Sequence, residues 1–254
     1  MTVTFLGTGT SQGVPVIGCE CPVCTSEDPR DKRLRSSILV EREGKHLVVD
    51  TGPDFRYQML REKVKTLDAV IFSHEHKDHI AGLDDVRAFN YRQGRAMDIY
   101  AHPRVQEALK RDFHYAFAEM KHYGIPLLEL HDISKDSSFT AAGLEVQPIE
   151  VLHYKLPVLG FRFGDFSYIT DGKTISPTEK AKLKGSKVLV LNALQKTSHI
   201  SHFTLEEAIS LAEEINAEQT YLTHISHLLG KHADVNTELP DGVALAYDGL
   251  KINF

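Results

Sequence analysis

The sequence lacks an excess of positive charge, has only three cysteines and has no apolar run near the roughly 20 residues that a membrane-spanning helix needs. Its 29 Lys and Arg residues against 35 Asp and Glu residues give a formal net charge of −6, which argues against non-specific nucleic-acid binding. The chain enters an apolar segment at Val3 without the basic and apolar regions of a secretion signal. We therefore expect a cytoplasmic protein that does not enter the membrane.

The pattern of apolar segments predicts an α+β protein. No repeat, low-complexity stretch or linker interrupts the 254 residues, so we expect a single domain over 1–254. Short apolar, partly β-branched runs predict strands at 3–6, 37–40, 46–50, 67–72, 144–151, 161–163, 166–170, 188–191 and 220–223. Apolar periodicity, prolines and capping residues predict helices at 53–63, 81–89, 103–120 and 204–216, and another after Ser176.

The most informative segment is Phe72-Ser73-His74-Glu75-His76-Lys77-Asp78-His79-Ile80, which places four metal-binding side chains within six positions. A helix would separate His74 and His76 by about 200°, whereas an extended backbone lets them converge. A polar surface loop is the alternative, but exposed histidines have no reason to cluster so tightly, and buried histidines without partners are costly. Two cations roughly 3.5–4 Å apart, sharing a water, would use all four groups.

The spacing His-x-His-x-Asp-His over 74–79 resembles the signature of the metallo-β-lactamase superfamily. The resemblance implies an αβ/βα sandwich, in which two mixed β-sheets face each other with helices outside and the active site at one edge. It also implies a set of ligands that includes three residues after later strand-like runs. By this resemblance, one metal is bound by His74, His76 and His153, the other is bound by Asp78, His79 and His224, and Asp171 bridges the two.

The ligand types favour hydrolysis. Superfamily members with a redox di-iron centre usually have a carboxylate at the position of His76, whereas the acid here is Glu75, displaced by one and expected to face away. Imidazole-rich ligands suit zinc, although manganese or iron could occupy the same site. Two such cations would hold a hydroxide near neutral pH. Asp78 could orient that hydroxide as a second, catalytic role.

A second candidate catalytic residue stands before the helix predicted at 204–216. Taken alone, His202 reads as a surface histidine near a helix N-terminus. Resemblance to the phosphodiesterase branch of the superfamily gives it a role in stabilising phosphate or protonating the leaving oxygen. His199 is the alternative for that role.

The three cysteines, Cys19, Cys21 and Cys24, predict a separate metal site in a loop over 18–28. An odd number of cysteines so closely spaced is a poor disulfide framework. Three thiolates need a fourth ligand to close a tetrahedral zinc site, and His227 is the best candidate. A redox-active trio is the alternative, but the sequence lacks a Cys-x-x-Cys at a helix start.

Further shared segments narrow the resemblance to the phosphoribosyl 1,2-cyclic phosphate phosphodiesterases of bacterial phosphonate breakdown. They are Gly7-Thr8-Gly9, Gln12-Gly13-Val14-Pro15, the cysteines, the central motif and Thr223-His224-Ile225-Ser226-His227. Enzymes that make pyrroloquinoline quinone share the cysteine pattern. The resemblance implies a phosphodiesterase that cleaves a small cyclic phosphodiester, a cyclic ribose phosphate or 2′,3′-cyclic nucleotide, with a metal-bound hydroxide.

Alternative functions are a thioester or lactone hydrolase on the same metals and a non-catalytic domain that holds metal or binds a partner. Arg35 and Tyr154 are candidate contacts to the phosphate-bearing substrate. Homologous enzymes suggest a homodimer, although no interface is legible in the sequence.

Overall fold

The structure is a computed structural model that describes residues 1–118 and 124–254, whose strands form two sheets of seven strands each. In chain order the strands are β1 (Thr2–Gly7), β2 (Ser37–Arg42), β3 (Lys45–Val49), β4 (Ala69–Ile71), β5 (Met97–Ala101), β6 (Leu128–Asp132), β7 (Phe139–Ala141), β8 (Leu144–His153), β9 (Leu156–Phe163), β10 (Phe166–Tyr168), β11 (Val188–Asn192), β12 (Gln219–Thr223), β13 (Val243–Leu245) and β14 (Lys251–Asn253). The helices are α1 (Phe55–Arg61), α2 (Lys77–Ile80), α3 (Arg87–Gln93), α4 (Pro103–Asp112), α5 (Pro177–Leu183), α6 (Leu205–Ile215) and α7 (His232–Glu238).

Each sheet combines an antiparallel part with a parallel part. The first sheet has the order β14-β1-β2-β3-β4-β5-β6, and its strands from β3 to β6 are parallel. The second sheet has the order β13-β12-β11-β10-β9-β8-β7, and its strands from β10 to β13 are parallel. The parallel strands are where the chain crosses over through helices, so these parts of each sheet need cover on both faces.

Apolar side chains on the inner faces of both sheets form one core, which includes Phe5, Ile71, Phe161 and Tyr168. A second apolar cluster packs α1, α3 and α4 against the outer face of the first sheet. A third packs α5, α6 and α7 against the second sheet. The αβ/βα sandwich of two facing mixed sheets with outer helices is therefore confirmed.

The helices are shorter than the sequence pattern predicts. Helix α1 begins at Phe55 because Pro53 and Asp54 form a turn, in which Phe55 N donates to Gly52 O at 3.0 Å. Helix α4 ends at Asp112, where the next residue leaves helical geometry; the predicted helix end at Met120 lies outside the described residues. None of the described helices is long and apolar enough to span a membrane.

The strand pattern also misses β5, β6, β7, β13 and β14. In strand β6, with the sequence Leu-Glu-Leu-His-Asp, polar residues interrupt the apolar run. Strand β6 is fixed by its parallel pairing with β5 rather than by its own composition, as expected where tertiary context decides β-structure.

The carboxyl ends of several strands from the two sheets meet at one edge of the sandwich. Asp50 follows β3, Ser73 lies two residues after β4, Asp171 lies three residues after β10, and His224 follows β12. Ligands of α/β sheets bind at the carboxyl ends of parallel strands, where loops converge. This edge therefore holds the candidate site.

Candidate metal centre

The central motif forms a turn between β4 and α2. His74 and His79 are buried, whereas His76, directly before α2, is exposed. The ring centroid of His74 lies 4.6 Å from that of His76 and 4.2 Å from that of His79. The extended start and the short helix together bring the motif's imidazoles into contact, as the extended-backbone argument predicted.

The second sheet brings the remaining predicted ligands against this turn. Asp171 Oδ2 lies 3.2 Å from His79 Nε2, and Asp171 Oδ1 lies 3.3 Å from His224 Nε2. Asp78 Oδ2 lies 3.2 Å from His79 Nε2. The His153 ring centroid lies 5.2 Å from that of His76. The structure thus gathers the seven predicted ligands into one cluster, which we call the His/Asp cluster: His74, His76, Asp78, His79, His153, Asp171 and His224.

Three residues at this edge share an uncommon backbone conformation. Asp50, Asp171 and His224 come after β3, β10 and β12, and their φ angles are 65°, 55° and 55°, respectively. Non-glycine residues with positive φ carry a conformational cost and concentrate at functional sites. At each position the left-handed residue turns the chain at the end of its strand run, with its side chain in the cluster or directly against it.

Asp50 is a buried carboxylate that sequence reasoning missed. It accepts hydrogen bonds from Ser73 N at 2.8 Å, from Ser73 Oγ at 2.7 Å and from His79 Nδ1 at 2.7 Å. Asp50 comes directly after the strand Lys45–Val49, just as Asp171 and His224 come after strand-like runs. The same sequence pattern could therefore have identified it. Because His79 donates through Nδ1, its Nε2 is left with a lone pair that faces the cluster.

Similar bonds orient two other imidazoles. Ser73 Oγ lies 3.0 Å from His74 Nδ1, and His153 Nδ1 donates to Ser201 O at 3.0 Å. In both rings the bond is made by Nδ1, which leaves Nε2 as the free nitrogen. Bonds of this kind fix the tautomer of a metal-binding histidine and the orientation of its ring.

The cluster fits divalent cations. Among the described residues, His74 Nε2 and His79 Nε2 are buried without a hydrogen-bond partner, although carboxylates lie beside them. Asp171 belongs to three groups whose possible ligand atoms lie within 4.8 Å of one another, with His74 and His79, with Asp78 and His224, and with His153 and His202. Buried nitrogens and carboxylates in this arrangement need positive charge between them, which metal ions would supply.

The pKa shifts in the cluster also indicate a site for positive charge. Burial lowers the pKa of His74 well below its usual range. Burial also opposes protonation of His79, but the carboxylates of Asp171, Asp78 and Asp50 raise its pKa well above the usual value. The carboxylates around His79 therefore favour positive charge at this position.

His202 lies in contact with the cluster, whereas His199 lies one ring further out. The His202 ring centroid is 4.5 Å from that of His153 and 4.9 Å from that of His224, and its Nδ1 is 3.8 Å from Asp171 Oδ1. Burial, together with His224, lowers the pKa of His202 to about 3, so the ring is neutral at physiological pH. The His199 ring centroid is 5.1 Å from that of His202.

The two predicted substrate contacts have other surroundings. Arg35 Nη1 lies 3.1 Å from both carboxylate oxygens of Asp54, and its Nε donates to Ser11 O at 3.2 Å. Tyr154 follows His153 in the tight turn between β8 and β9, and 52% of its surface is exposed. Within the described residues, no hydrogen bond joins either side chain to the His/Asp cluster.

The cysteines converge on His227, as the sequence predicted. His227 Nδ1 lies 3.3 Å from Cys19 Sγ, 3.4 Å from Cys21 Sγ and 3.5 Å from Cys24 Sγ. Three sulfurs and one imidazole nitrogen form a donor set typical of structural zinc. We call these four residues the Cys/His cluster. A hydrogen bond from the Cys24 N–H lowers the pKa of Cys21 to about 6, whereas burial raises that of Cys24 to about 11.

The loop that carries the cysteines also contacts the segment that carries His224. Ile225 N donates to Thr8 O at 2.9 Å, and Thr10 N donates to Ile225 O at 3.1 Å. His227 lies three residues beyond His224, so both clusters share one short segment after β12.

Comparison with known proteins agrees with the fold. A model of the β-lactamase superfamily domain matches residues 45–225, which include the His/Asp cluster. The chain belongs to the β-lactamase superfamily. The fold and the family are those of metal-dependent hydrolases, and divalent-metal binding follows from them.

Solved structures of this superfamily overlap the whole chain. A crystal structure described as a new diphosphatase from the PhnP family is 42% identical, with a TM-score of 0.93, and the match covers 100% of this chain and 97% of that one. The zinc-bound PqqB from Methylobacterium extorquens has the same fold, with a TM-score of 0.81 at 19% identity and full coverage of both chains.

A curated relative is longer than this chain. The octanoyltransferase of Porphyromonas gingivalis is 39% identical over 253 residues, which are 99% of this chain but 51% of that protein. The chain thus spans about half the length of this relative.

Proposed function

We propose that this chain is a dinuclear metal-dependent phosphodiesterase that acts on a small phosphate-bearing substrate. The observation that carries the proposal is the convergence of five imidazoles and two carboxylates, from both sheets, around Asp171. The match to a PhnP-family diphosphatase, at 42% identity over the full chain, supports phosphorus–oxygen bonds as the target. We infer that residues 1–254 act as one domain for this purpose.

The proposed ligands divide between the two cations, and each set draws on both sheets. His74, His76 and His153 would hold one cation, Asp78, His79 and His224 would hold the other, and Asp171 would contact both. The donor set suits zinc, and manganese is the alternative. When bound, the two cations would supply Lewis acidity and lower the pKa of water towards about 7.

The chain's own residues would then position the reactants. Asp78, which is partly exposed beside His79, would accept a hydrogen bond from the attacking water and orient it. His202 would donate an N–H to a phosphate oxygen or to the leaving oxygen, because its neutral ring lies against His153 and His224. Groups aimed at developing charge in this way stabilise the transition state more than the ground state.

The Cys/His cluster would hold a structural zinc in the loop over 18–28. Its role would be to tie that loop to the segment of His224, since His227 belongs to that segment and contacts the cysteines of the loop. This site has no open position for a substrate, because all four ligands come from the protein.

A second candidate function is the hydrolysis of an acyl ester or thioester on the same metals. The similarity to a protein named octanoyltransferase favours it, because that name describes transfer of an acyl group. The similarity covers half of that protein, so the acyl chemistry could equally reside in the other half.

One experiment separates these functions. Purified protein with its metals is incubated with 2′,3′-cyclic nucleotides, a cyclic ribose phosphate, a diphosphate diester and an octanoyl thioester, with and without a chelator. We expect chelator-sensitive turnover of at least one of the three phosphorus compounds. Turnover of the thioester alone would instead establish the acyl hydrolase, and inactivity on all substrates by metal-replete protein would refute both.

A further inference from the structure

Glu75 separates two proposed ligands, His74 and His76, but its side chain is turned away from them. Its Oε1 lies 2.8 Å from Arg104 Nε. The contact lacks the alignment of a hydrogen bond, and Glu75 Oε2 is buried without a partner among the described residues. The Arg104 guanidinium is therefore the charge that compensates a carboxylate of which only 20% is exposed.

Arg104 also reaches the opposite sheet. It stands in the first turn of α4, on the side of the first sheet, and its Nη2 donates to Pro157 O in β9. Pro157 pairs with Leu152, and its neighbour Leu156 pairs with His153, so this carbonyl belongs to the hairpin that presents His153. One side chain thus links the segment of His74 and His76 to the hairpin of His153.

A second bond closes the same junction from the backbone. Leu159 N, also in β9, donates to Ser73 O at 3.1 Å. A cavity of about 150 Å³ lies between the two links and is lined by Ser73, Arg104, Pro157 and Leu159 among others. Both links therefore cross a part of the junction that packed side chains do not fill.

Loss of Arg104 would have two separate consequences. The hairpin of His153 would lose a side-chain bond to the first sheet. Glu75 would become a half-buried carboxylate without a counter-charge, and such groups are strongly unfavourable. Carboxylate oxygens are good ligands for divalent cations, so a freed Glu75 could turn to the neighbouring metals and compete with the imidazoles.

We propose that Arg104 is a positioning residue for the metal pair: it keeps Glu75 out of the ligand set and holds His153 opposite His76. This inference depends on the metal pair of the proposed function, but not on the identity of the substrate. Partners that orient metal ligands typically account for about 10–100-fold in metal affinity.

The test is a chelator titration that measures the metal retained by each cluster, without substrate. Arg104→Met should weaken retention at the His/Asp cluster by about 10–100-fold, while zinc at the Cys/His cluster stays as in wild type. Arg104→Lys should be intermediate, since lysine keeps the charge near Glu75 but cannot bond both partners. Arg111→Met, on the same helix with its side chain 70% exposed, is the matched control and should change nothing.

A double variant separates the two roles of Arg104. Glu75→Gln removes the competing carboxylate, so Arg104→Met with Glu75→Gln should recover part of the lost affinity. If the double variant recovers no affinity, the claim that Arg104 keeps Glu75 away from the metals is refuted. Wild-type metal affinity in Arg104→Met would refute the whole proposal. If Arg104→Met does not fold, Arg104→Lys decides: unchanged metal retention in that variant would also overturn the proposal. A failure of the phosphodiesterase assay would leave these outcomes unaffected.

Discussion

The His/Asp cluster and the Cys/His cluster are built in opposite ways. The first stands at the ends of strands from two sheets, and Asp50, Ser73 and Ser201 hold its imidazoles by hydrogen bonds. The second lies in an irregular loop between β1 and β2, where three cysteines meet one histidine from a distant segment. The strands and their hydrogen bonds position the ligands of the first site. The loop that carries the cysteines of the second site contains little regular structure.

This difference teaches what a metal would do at each cluster. At the His/Asp cluster, hydrogen bonds from residues outside the ligand set hold the imidazoles in place, and preorganised groups of this kind need little rearrangement during reaction. At the Cys/His cluster the metal would fix the loop, so that binding free energy becomes folding free energy. We therefore expect mutations of the first cluster to change turnover and mutations of the second to change stability.

The largest effect on turnover should come from Asp171, the side chain shared by the groups of the His/Asp cluster. Asp171→Ala should lower kcat by more than about 10³-fold, because partners outside the ligand set already account for about 10–100-fold. Metal analysis should show loss at this cluster and one zinc retained by the cysteines. Loss of all metals together would contradict the independence of the two clusters.

The next effect should come from His202, which contacts the cluster without belonging to the proposed ligands. His202→Asn should lower kcat by about 10²-fold, the low end for removing one hydrogen-bond donor to developing charge, with metal content unchanged. His199→Asn is the control, and we expect its kcat within about threefold of wild type, since this ring lies beyond His202. A larger loss in the His199 variant would reverse the assignment.

A smaller effect should follow from Asp50→Asn, which tests the preorganisation of the first cluster. The amide keeps only one acceptor oxygen for the three donors that Asp50 binds, and it lacks the negative charge, so the bond that fixes the tautomer of His79 is weakened. Metal affinity at the His/Asp cluster should fall by about 10–100-fold in a chelator titration. Asp54→Asn, whose carboxylate binds Arg35 instead, should retain wild-type affinity.

The smallest effect on turnover should come from Cys21→Ser, which tests the second cluster. The variant should lose one zinc, and the free energy of unfolding should fall by more than about 2 kcal/mol, as expected for loss of a structural metal. At a temperature where it remains folded, its kcat should stay within about threefold of wild type. Glu20→Gln, exposed between two of the cysteines, is the control for both measurements. Unchanged zinc and stability in Cys21→Ser would contradict a structural site.

The sequence predicts the ligands of the His/Asp cluster better than the parts that hold them. His74, His76, Asp78 and His79 are adjacent in the chain, so their spacing alone carries information. The role of Asp50 depends on the parallel pairing of β3 with β4, which brings it beside Ser73. When the partners of a residue come from another strand, the sequence around that residue gives little indication of its role.

The link between Arg104 and Glu75 is still harder to foresee. The two residues belong to different strand–helix units, and their meeting depends on how α4 packs against the first sheet. The sequence pattern continues the helix of Arg104 past its observed end at Asp112, where Phe113 leaves helical geometry and packs in the apolar cluster on the outer face of the first sheet. Local propensity is overridden by packing in such cases.

The most direct test of the account is anomalous diffraction from crystals of the metal-replete protein, measured at the absorption edge of the bound metal. The account predicts two peaks about 3.5–4 Å apart on either side of Asp171, flanked by the histidines of both sheets, and a third among the cysteines and His227. A single peak or none beside Asp171 would contradict the central claim that this cluster binds a metal pair.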